Sequence, residues 1–255
     1  MVRLGQNFLA DPNLLDAIVR EAELDPGDVV LEVGGGEGVL TAELARAAAR
    51  VHVIELDTRL EEPLGAVAAE HGNVELHFAD AMRFDLATLD PVPTVMVANL
   101  PYAIATPLIL RTIAELPSVR RWTVMVQREI ADRLRAGPGS KLYGSPSAVC
   151  QLACEVRMLR TVDRAVFNPR PRVDSALLRL ERTGEAPSAW TREVIRGAFA
   201  HRRKALAGSL ELAGVAKRAQ VHAALEGLGL DPGARAEALA PAQLAALADA
   251  LGGGE

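Results

Sequence analysis

Short apolar runs that end in glycine or acidic residues alternate with helix-spaced apolar positions through the first hundred residues. Residues 14–22 carry apolar side chains at the three-to-four spacing of an amphipathic helix, which Pro26-Gly27 closes. Val29-Val30-Leu31-Glu32-Val33 is a short apolar run ending in glycines, as in a buried parallel strand. An Ala/Leu helix is predicted at 39–49, and further strands at 51–55, 74–78 and 94–98. This alternation predicts βαβ units and a parallel sheet with helices on both faces, an α/β fold. After Pro107 the pattern predicts a helix to Glu115, a strand at 122–126 and a charged helix at 127–135. Residues 136–146 contain three glycines and two prolines and predict a loop. Apolar segments at 148–159 and 176–180 are expected to complete the sheet. From Thr183 the chain turns Ala/Leu/Arg-rich with helical spacing only. The expected division is therefore an α/β domain over 1–182 and a small all-α domain over 183–255.

Composition adds an asymmetry to this picture. The 255-residue chain is 49% hydrophobic and carries a net charge of −5, which taken alone argues against a polyanionic partner. Residues 1–100, however, hold 6 Lys/Arg against 18 Asp/Glu, whereas 111–204 hold 19 against 9. The first part suits a small cationic or neutral ligand and the second a polyanion. The first residues lack the apolar core of a signal peptide, and no segment has the length of a membrane span, so a cytoplasmic protein is expected. The two cysteines, Cys150 and Cys154, lack a second pair or a histidine cluster nearby in sequence. They are read as core residues, and no metal site is predicted. No interface signal is visible, so a monomer is expected.

Candidate chemistry gathers at the predicted strand ends, where open α/β sheets bind their ligands. Glu32-Val33-Gly34-Gly35-Gly36-Glu37-Gly38 joins a strand to a helix, and its glycines let a ligand approach the backbone. A dinucleotide fingerprint would place a third glycine where Val39 stands. Glu55 ends the next strand, where a carboxylate can accept from both hydroxyls of an adenosine ribose. Asp80, followed by Ala81, ends the third and is suited to an exocyclic adenine amine. Each acid alone might serve only as a cap, but together they favour an adenosyl ligand.

Asn99-Leu100-Pro101-Tyr102 ends the fourth strand. Isolated, it reads as an ordinary turn. Downstream of an adenosyl site it suggests methyl transfer to an amino nitrogen whose lone pair is delocalised into an adenine ring. The Asn99 side-chain oxygen and the Leu100 carbonyl would each accept one N6 hydrogen, aiming the lone pair at a methyl sulfonium; alignment then supplies most of the rate. Pro101 stiffens the turn, and Tyr102 offers a face for the base, worth on the order of 1–3 kcal/mol.

With these residues in view, the sequence resembles the ribosomal RNA adenine dimethyltransferases, the KsgA (RsmA) and Erm group. The resemblance is carried by Gly5-Gln6-Asn7-Phe8-Leu9, Glu32-Val33-Gly34-Gly35-Gly36, Ile54-Glu55-Leu56-Asp57, Asp80-Ala81-Met82 and Asn99-Leu100-Pro101-Tyr102. It continues through Gln127-Arg128-Glu129, Lys141-Leu142-Tyr143-Gly144 and Phe167-Asn168-Pro169-Arg170-Pro171-Arg172-Val173-Asp174-Ser175-Ala176. The last two segments are closer to the KsgA branch. The resemblance implies a Rossmann-like class I methyltransferase sheet and S-adenosyl-L-methionine as cofactor. It also implies dimethylation of two adjacent adenosines near the 3′ end of small-subunit (16S) rRNA during ribosome assembly. Gln6, Asn7, Leu9, Glu32, Gly34, Gly36, Glu55, Asp80, Ala81 and Asn99 would then line the cofactor site. Phe167 would be the second aromatic face opposite Tyr102, and its setting among prolines and basic residues predicts a surface position.

Arg128, Arg133, Lys141, Arg170, Arg172, Arg202, Arg203 and Lys204 are the candidate RNA contacts. The chain departs from the family pattern at Ala103 and Ala105, where polar residues are usual, at Ser145-Pro146-Ser147, and at Gly208 in place of Asn. These departures bear on substrate choice and leave two alternatives: Erm-like methylation of large-subunit (23S) rRNA, or a non-catalytic assembly factor that binds RNA.

Overall fold

The structure, a computed structural model, describes residues 8, 9 and 11–252. In chain order its elements are β1 (Phe8–Leu9), α1 (Pro12–Ala22), β2 (Val29–Val33), α2 (Val39–Ala47), β3 (Arg50–Glu55), α3 (Glu61–His71), β4 (Val74–Phe78) and β5 (Val95–Asn99). There follow α4 (Ala105–Glu115), β6 (Arg121–Gln127), α5 (Arg128–Leu134), α6 (Ser145–Ala153), β7 (Cys154–Val162), β8 (Phe167–Asn168) and β9 (Ser175–Arg182). Helices α7 (Ala189–Ala200), α8 (Leu206–Leu212), α9 (Arg218–Gly227) and α10 (Pro241–Ala250) complete the chain. No helix among the described residues is long and apolar enough to cross a membrane.

Two compact units emerge: the chain to residue 131 with 156–182, and 132–155 with 183 onward. In the first, seven strands run in the order β4-β3-β2-β5-β6-β9-β7. The pairs from β4 to β6 are parallel, and β6 pairs with β9 antiparallel. Central β2 is buried at every position, Glu32 included, whereas edge strand β4 is half-buried throughout. Chain order reverses direction across the sheet between β2 and β5, and this opens a crevice at their carboxyl ends. A carboxylate network secures the opposite, amino end. Asp28 accepts from Arg120 at 2.6 and 3.0 Å, from the Thr94 hydroxyl at 2.6 Å and from the Asp25 N–H at 2.9 Å.

The segment 148–159 differs from its expectation. Its first part is α6 and only the remainder is strand β7. Pro146 enters the first turn and the Ser147 hydroxyl accepts from the Gly144 N–H at 3.2 Å, so the loop signal conceals a helix start. Helix α3 has no counterpart in the predicted elements, because Leu64 is its only buried residue and its apolar pattern is correspondingly faint.

Within the second unit, Tyr143 is fully buried, donates its hydroxyl to Leu239 O at 3.0 Å and meets the Phe199 ring edge-on at 5.4 Å. The Gln151 amide donates to Leu134 O and Ala136 O at 2.7 and 2.9 Å. The Tyr143 contacts tie the 132–155 segment to the C-terminal part of this unit, and the Gln151 bonds fold the segment on itself. Cys150 and Cys154 are both buried, the core placement expected of them, and burial pushes the Cys150 thiol well up.

Candidate active site

The crevice at the sheet's carboxyl end is a cavity of about 240 Å³. Its walls come from the four strand ends that the sequence singles out: 32–37 after β2, 54–56 at the end of β3, 79–81 after β4 and 99–104 after β5. Glu32, Gly34, Gly36, Glu55, Asp80, Ala81, Asn99, Leu100, Pro101 and Tyr102 all lie in this lining.

Local geometry explains why these residue types stand here. Gly34 has φ +83°, a conformation that side chains rarely adopt, and a Cβ there would be in van der Waals contact with the Pro101 ring at 3.4 Å, so the glycine loop lies directly against the 99–102 turn. Gly35 is constrained from behind: a Cβ would lie 2.6 Å from Val53 Cγ1 and 3.0 Å from Leu64 Cδ2, both in fully buried residues. Glu55 shapes the loop directly. One of its oxygens accepts from the Gly36 N–H at 3.1 Å and the other from the Asp57 N–H at 2.9 Å. Each oxygen keeps a lone pair for a ligand hydroxyl. Asp80 Oδ1 accepts from the Met82 N–H at 2.9 Å and so folds its own turn, while Oδ2 faces Arg83 Nε at 3.6 Å on a side chain that is 42% exposed.

Glu32 is the unusual acid. It is 1% exposed and accepts from the Thr41 hydroxyl at 2.6 Å. Burial pushes its carboxyl up to about 8; the Thr41 bond opposes the rise and the Glu55 charge adds to it. At neutral pH Glu32 is therefore mostly a neutral acid.

The 99–102 turn is held on both sides. The Leu100 N–H donates to Met125 O at 3.1 Å, and the Ile104 N–H to Pro101 O at 3.1 Å. The Tyr102 hydroxyl is 2.7 Å from the fully buried Ser175 Oγ, and its burial raises the phenol pKa. Ring and turn are thus fixed relative to strand β9.

Three supporting residues escape the sequence. Thr41 meets Glu32 one helix away, Ser175 meets Tyr102 from a distant strand, and Arg111 on α4 donates to Ala81 O at 2.6 Å and Phe84 O at 2.7 Å. Only Ser175 lies in a segment the resemblance marks; the partners of Arg111 are 27–30 positions away and leave no local signal.

Phe167 requires a correction. It is 3% exposed rather than at the surface, packs in the core cluster that holds Leu14, Leu15 and Met125, and lies outside the cavity lining. Its strand β8 pairs with β1, Leu9 opposite Phe167, and burying an aromatic ring of this kind is worth about 1.5–3 kcal/mol. Gln6 and Asn7 lie outside the described residues, and Leu9 is placed only by that strand pairing.

The eight candidate RNA contacts are all exposed. In the first unit Arg170 faces Asp163 at 3.8 Å, and Arg172 lends its carbonyl to the Arg164 guanidinium at 3.1 Å. In the second, Arg202, Arg203 and Lys204 follow α7 in a tight turn, with Arg202 3.2 Å from Glu237.

A sheet parallel from β4 to β6 with β9 antiparallel beside β6, its cavity at the β2/β5 reversal and an Asn-Leu-Pro-Tyr turn at the end of β5, is that of a Rossmann-like class I methyltransferase. The chain belongs to the ribosomal RNA adenine dimethylase family, whose model matches residues 2–252. It is 45% identical over 247 residues to the ribosomal RNA small subunit methyltransferase A of Rubrobacter xylanophilus, covering 96% of this chain and 92% of that protein. It is 43% identical over 256 residues to the protein of the same name from Thermobifida fusca, covering 96% and 88%. Among solved structures, a dimethyladenosine transferase from Plasmodium falciparum superposes with a TM-score of 0.82 at 26% identity, covering 94% of this chain and 95% of that one. The 23S rRNA methyltransferase ErmE does so with 0.70 at 31%, covering 96% and 99%. The chain is thus an rRNA adenine dimethyltransferase, and its cofactor is S-adenosylmethionine.

Proposed function

We propose that this chain dimethylates N6 of two adjacent adenosines near the 3′ end of small-subunit (16S) rRNA, with the 99–102 turn holding the target base. The observation that carries this reading is that the turn shares one cavity with Glu55, Asp80 and the glycine loop. The small-subunit relatives at 45% and 43% identity support the choice of subunit.

The cavity suits an adenosyl cofactor. Glu55 has acceptor capacity for two ribose hydroxyls, the exposed part of Asp80 suits an adenine amine, and Gly34 keeps the passage to the turn open. S-adenosylmethionine supplies an electrophilic methyl group when bound. The protein's part is to present the nucleophile. The Asn99 side-chain oxygen and the Leu100 carbonyl accept the two N6 hydrogens and localise the nitrogen lone pair, on a backbone fixed by Met125 O. Tyr102, immobilised through Ser175, gives the unstacked base a preformed face. With so good an electrophile no strong base is needed. The first unit is the catalytic one in this reading, and the exposed basic residues of each unit contact RNA. The protein acts in the cytoplasm as a monomer.

The test uses the full chain and labelled S-adenosylmethionine with undermethylated small subunits, large subunits and naked rRNA, followed by mapping of the product. Label at paired adenosines of the small subunit is expected. Label confined to the large subunit would favour the Erm-like alternative, and cofactor binding without transfer to any substrate would favour an assembly factor. Asn99→Ala should abolish transfer while RNA affinity stays near that of the wild type; surviving transfer sinks the mechanism.

A further inference from the structure

Away from the cavity, strands β3 and β4 bring together His52, Glu75 and His77, which include two of the chain's five histidines. The parallel register sets His52 opposite Glu75, and His77 follows two positions on, so all three project from one face. Their polar atoms converge. His77 Nε2 is 3.4 Å from His52 Nδ1, Glu75 Oε2 is 3.6 Å from His52 Nδ1, and Glu75 Oε1 is 3.7 Å from His77 Nε2. Ligand atoms around a tetrahedral zinc, with bonds of about 2.0–2.1 Å, stand about 3.3–3.4 Å apart. The edges from His77 Nε2 to His52 Nδ1 and to Glu75 Oε1 are already close to that spacing, and the ligand atoms of all three residues lie within 4.8 Å of one another.

The proton inventory agrees. His52 is fully buried and its Nε2 lies 2.9 Å from Pro91 O. A carbonyl can only accept, so Nε2 carries the ring proton and the Nδ1 lone pair faces the cluster. A carbonyl partner of this kind is what orients a metal-ligating imidazole. The Phe84 ring, 5.0 Å away, flanks His77. Arg50 hydrogen-bonds Glu75 Oε2, which leaves Oε1, the oxygen facing His77, as the ligand atom.

We propose that His52 Nδ1, His77 Nε2 and Glu75 Oε1 bind one zinc-class divalent cation, with a fourth position for water. Without the cation, the His77 Nε2–H donates to His52 Nδ1; the cation takes that place once His77 carries its proton on Nδ1 instead. It would clip the half-buried edge strand β4 to its neighbour. The sequence pattern conceals the site because its ligands are spread over 25 positions on two strands. The site plays no part in methyl transfer, so its test is independent of the proposed function.

Metal-stripped full-length protein is titrated calorimetrically with zinc chloride, and separately with cobalt(II) chloride under visible absorption. One equivalent of zinc, cobalt bands of tetrahedral intensity and a higher melting temperature with zinc are expected. His77→Gln and Glu75→Gln should each weaken zinc at least about tenfold, the least that the loss of even an outer partner costs. His222→Ala, on α9, should leave binding unchanged. Circular dichroism confirms that the variants fold. No zinc uptake by the wild type, cobalt bands of octahedral weakness, or affinity preserved in both Gln variants would overturn the site.

Discussion

Replacing Glu32 by Gln removes one ionisable group from the centre of the sheet and keeps its shape, including an oxygen for the Thr41 hydroxyl. In the unfolded chain this carboxyl titrates near 4.5, and in the folded chain at about 8. Between those values the unfolded state sheds a proton that the folded state keeps, so stability falls as pH rises through the window. At pH 7 the unfolded carboxyl is about 2.5 units above its pKa while the folded one is still mostly neutral. At about 1.4 kcal/mol per unit, Glu32 then costs about 3 kcal/mol relative to a neutral side chain. Glu32→Gln escapes that cost. It should be about 3 kcal/mol more stable than the wild type at pH 7, which is about 6–12 °C in melting temperature for a chain of this size, and nearly level with it at pH 4.5. Urea unfolding followed by circular dichroism at pH 5, 6, 7 and 8 measures the difference, and subtracting the two proteins cancels every other titrating group. A difference that does not grow with pH would refute the reasoning.

Gly35→Ala drives a methyl into Val53 and Leu64 and should cost about 1–3 kcal/mol while loosening cofactor binding; Val53→Ala in the same chain should recover part of it, and strictly additive losses would count against the steric account. At the other end of the sheet, burial alone would raise the Asp28 carboxyl, but bonds from Arg120, Thr94 and the Asp25 N–H outweigh it and hold the carboxyl below its usual value. Its contribution is complete above the unfolded pKa of about 3.9 and disappears as pH falls below it. Asp28→Asn should be less stable by about 1–3 kcal/mol at pH 7 yet less sensitive to acid, and an unchanged acid limb would contradict this. Gly208 lies in α8 with a normal helical backbone, and a Cβ there meets nothing nearer than Arg218 Nη2 at 3.6 Å. Gly208→Ala should therefore stabilise by about 0.4–1 kcal/mol in thermal melts, and a loss would show an unrecognised need for glycine.

The inner strands were legible from their mostly apolar runs and edge strand β4 from its apolar/polar alternation, and 29–33, 51–55 and 74–78 agree with β2, β3 and β4 to within one residue. The cavity was legible for a related reason: glycine, acid and Asn-Leu-Pro-Tyr signals each sit where a strand stops. What escaped depends on distance. Arg111, Ser175 and the His52–His77 pair act across 25 or more positions, and no local period records such partners. Phe167 misled because prolines and arginines around it describe its neighbours' exposure, whereas its own ring packs into the core cluster with Leu14, Leu15 and Met125, residues far away in sequence. Helix α6 was hidden by the turn residues that begin it.

The turn after α7 has its own consequence. Lys204 N–H donates to His201 O at 2.8 Å, His201 N–H to the buried Ser209 Oγ at 3.1 Å, and that hydroxyl to Gly197 O at 2.7 Å. Arg202, Arg203 and Lys204 therefore project from a backbone braced before any polyanion arrives. A loop that had to order on contact would lose about 1–2 kcal/mol of backbone entropy per residue; here only side-chain freedom is at stake. The turn behaves as a charged stamp of fixed spacing. Binding to it should be governed by displaced counterions and hence by salt, with little of the heat-capacity change that accompanies folding on contact.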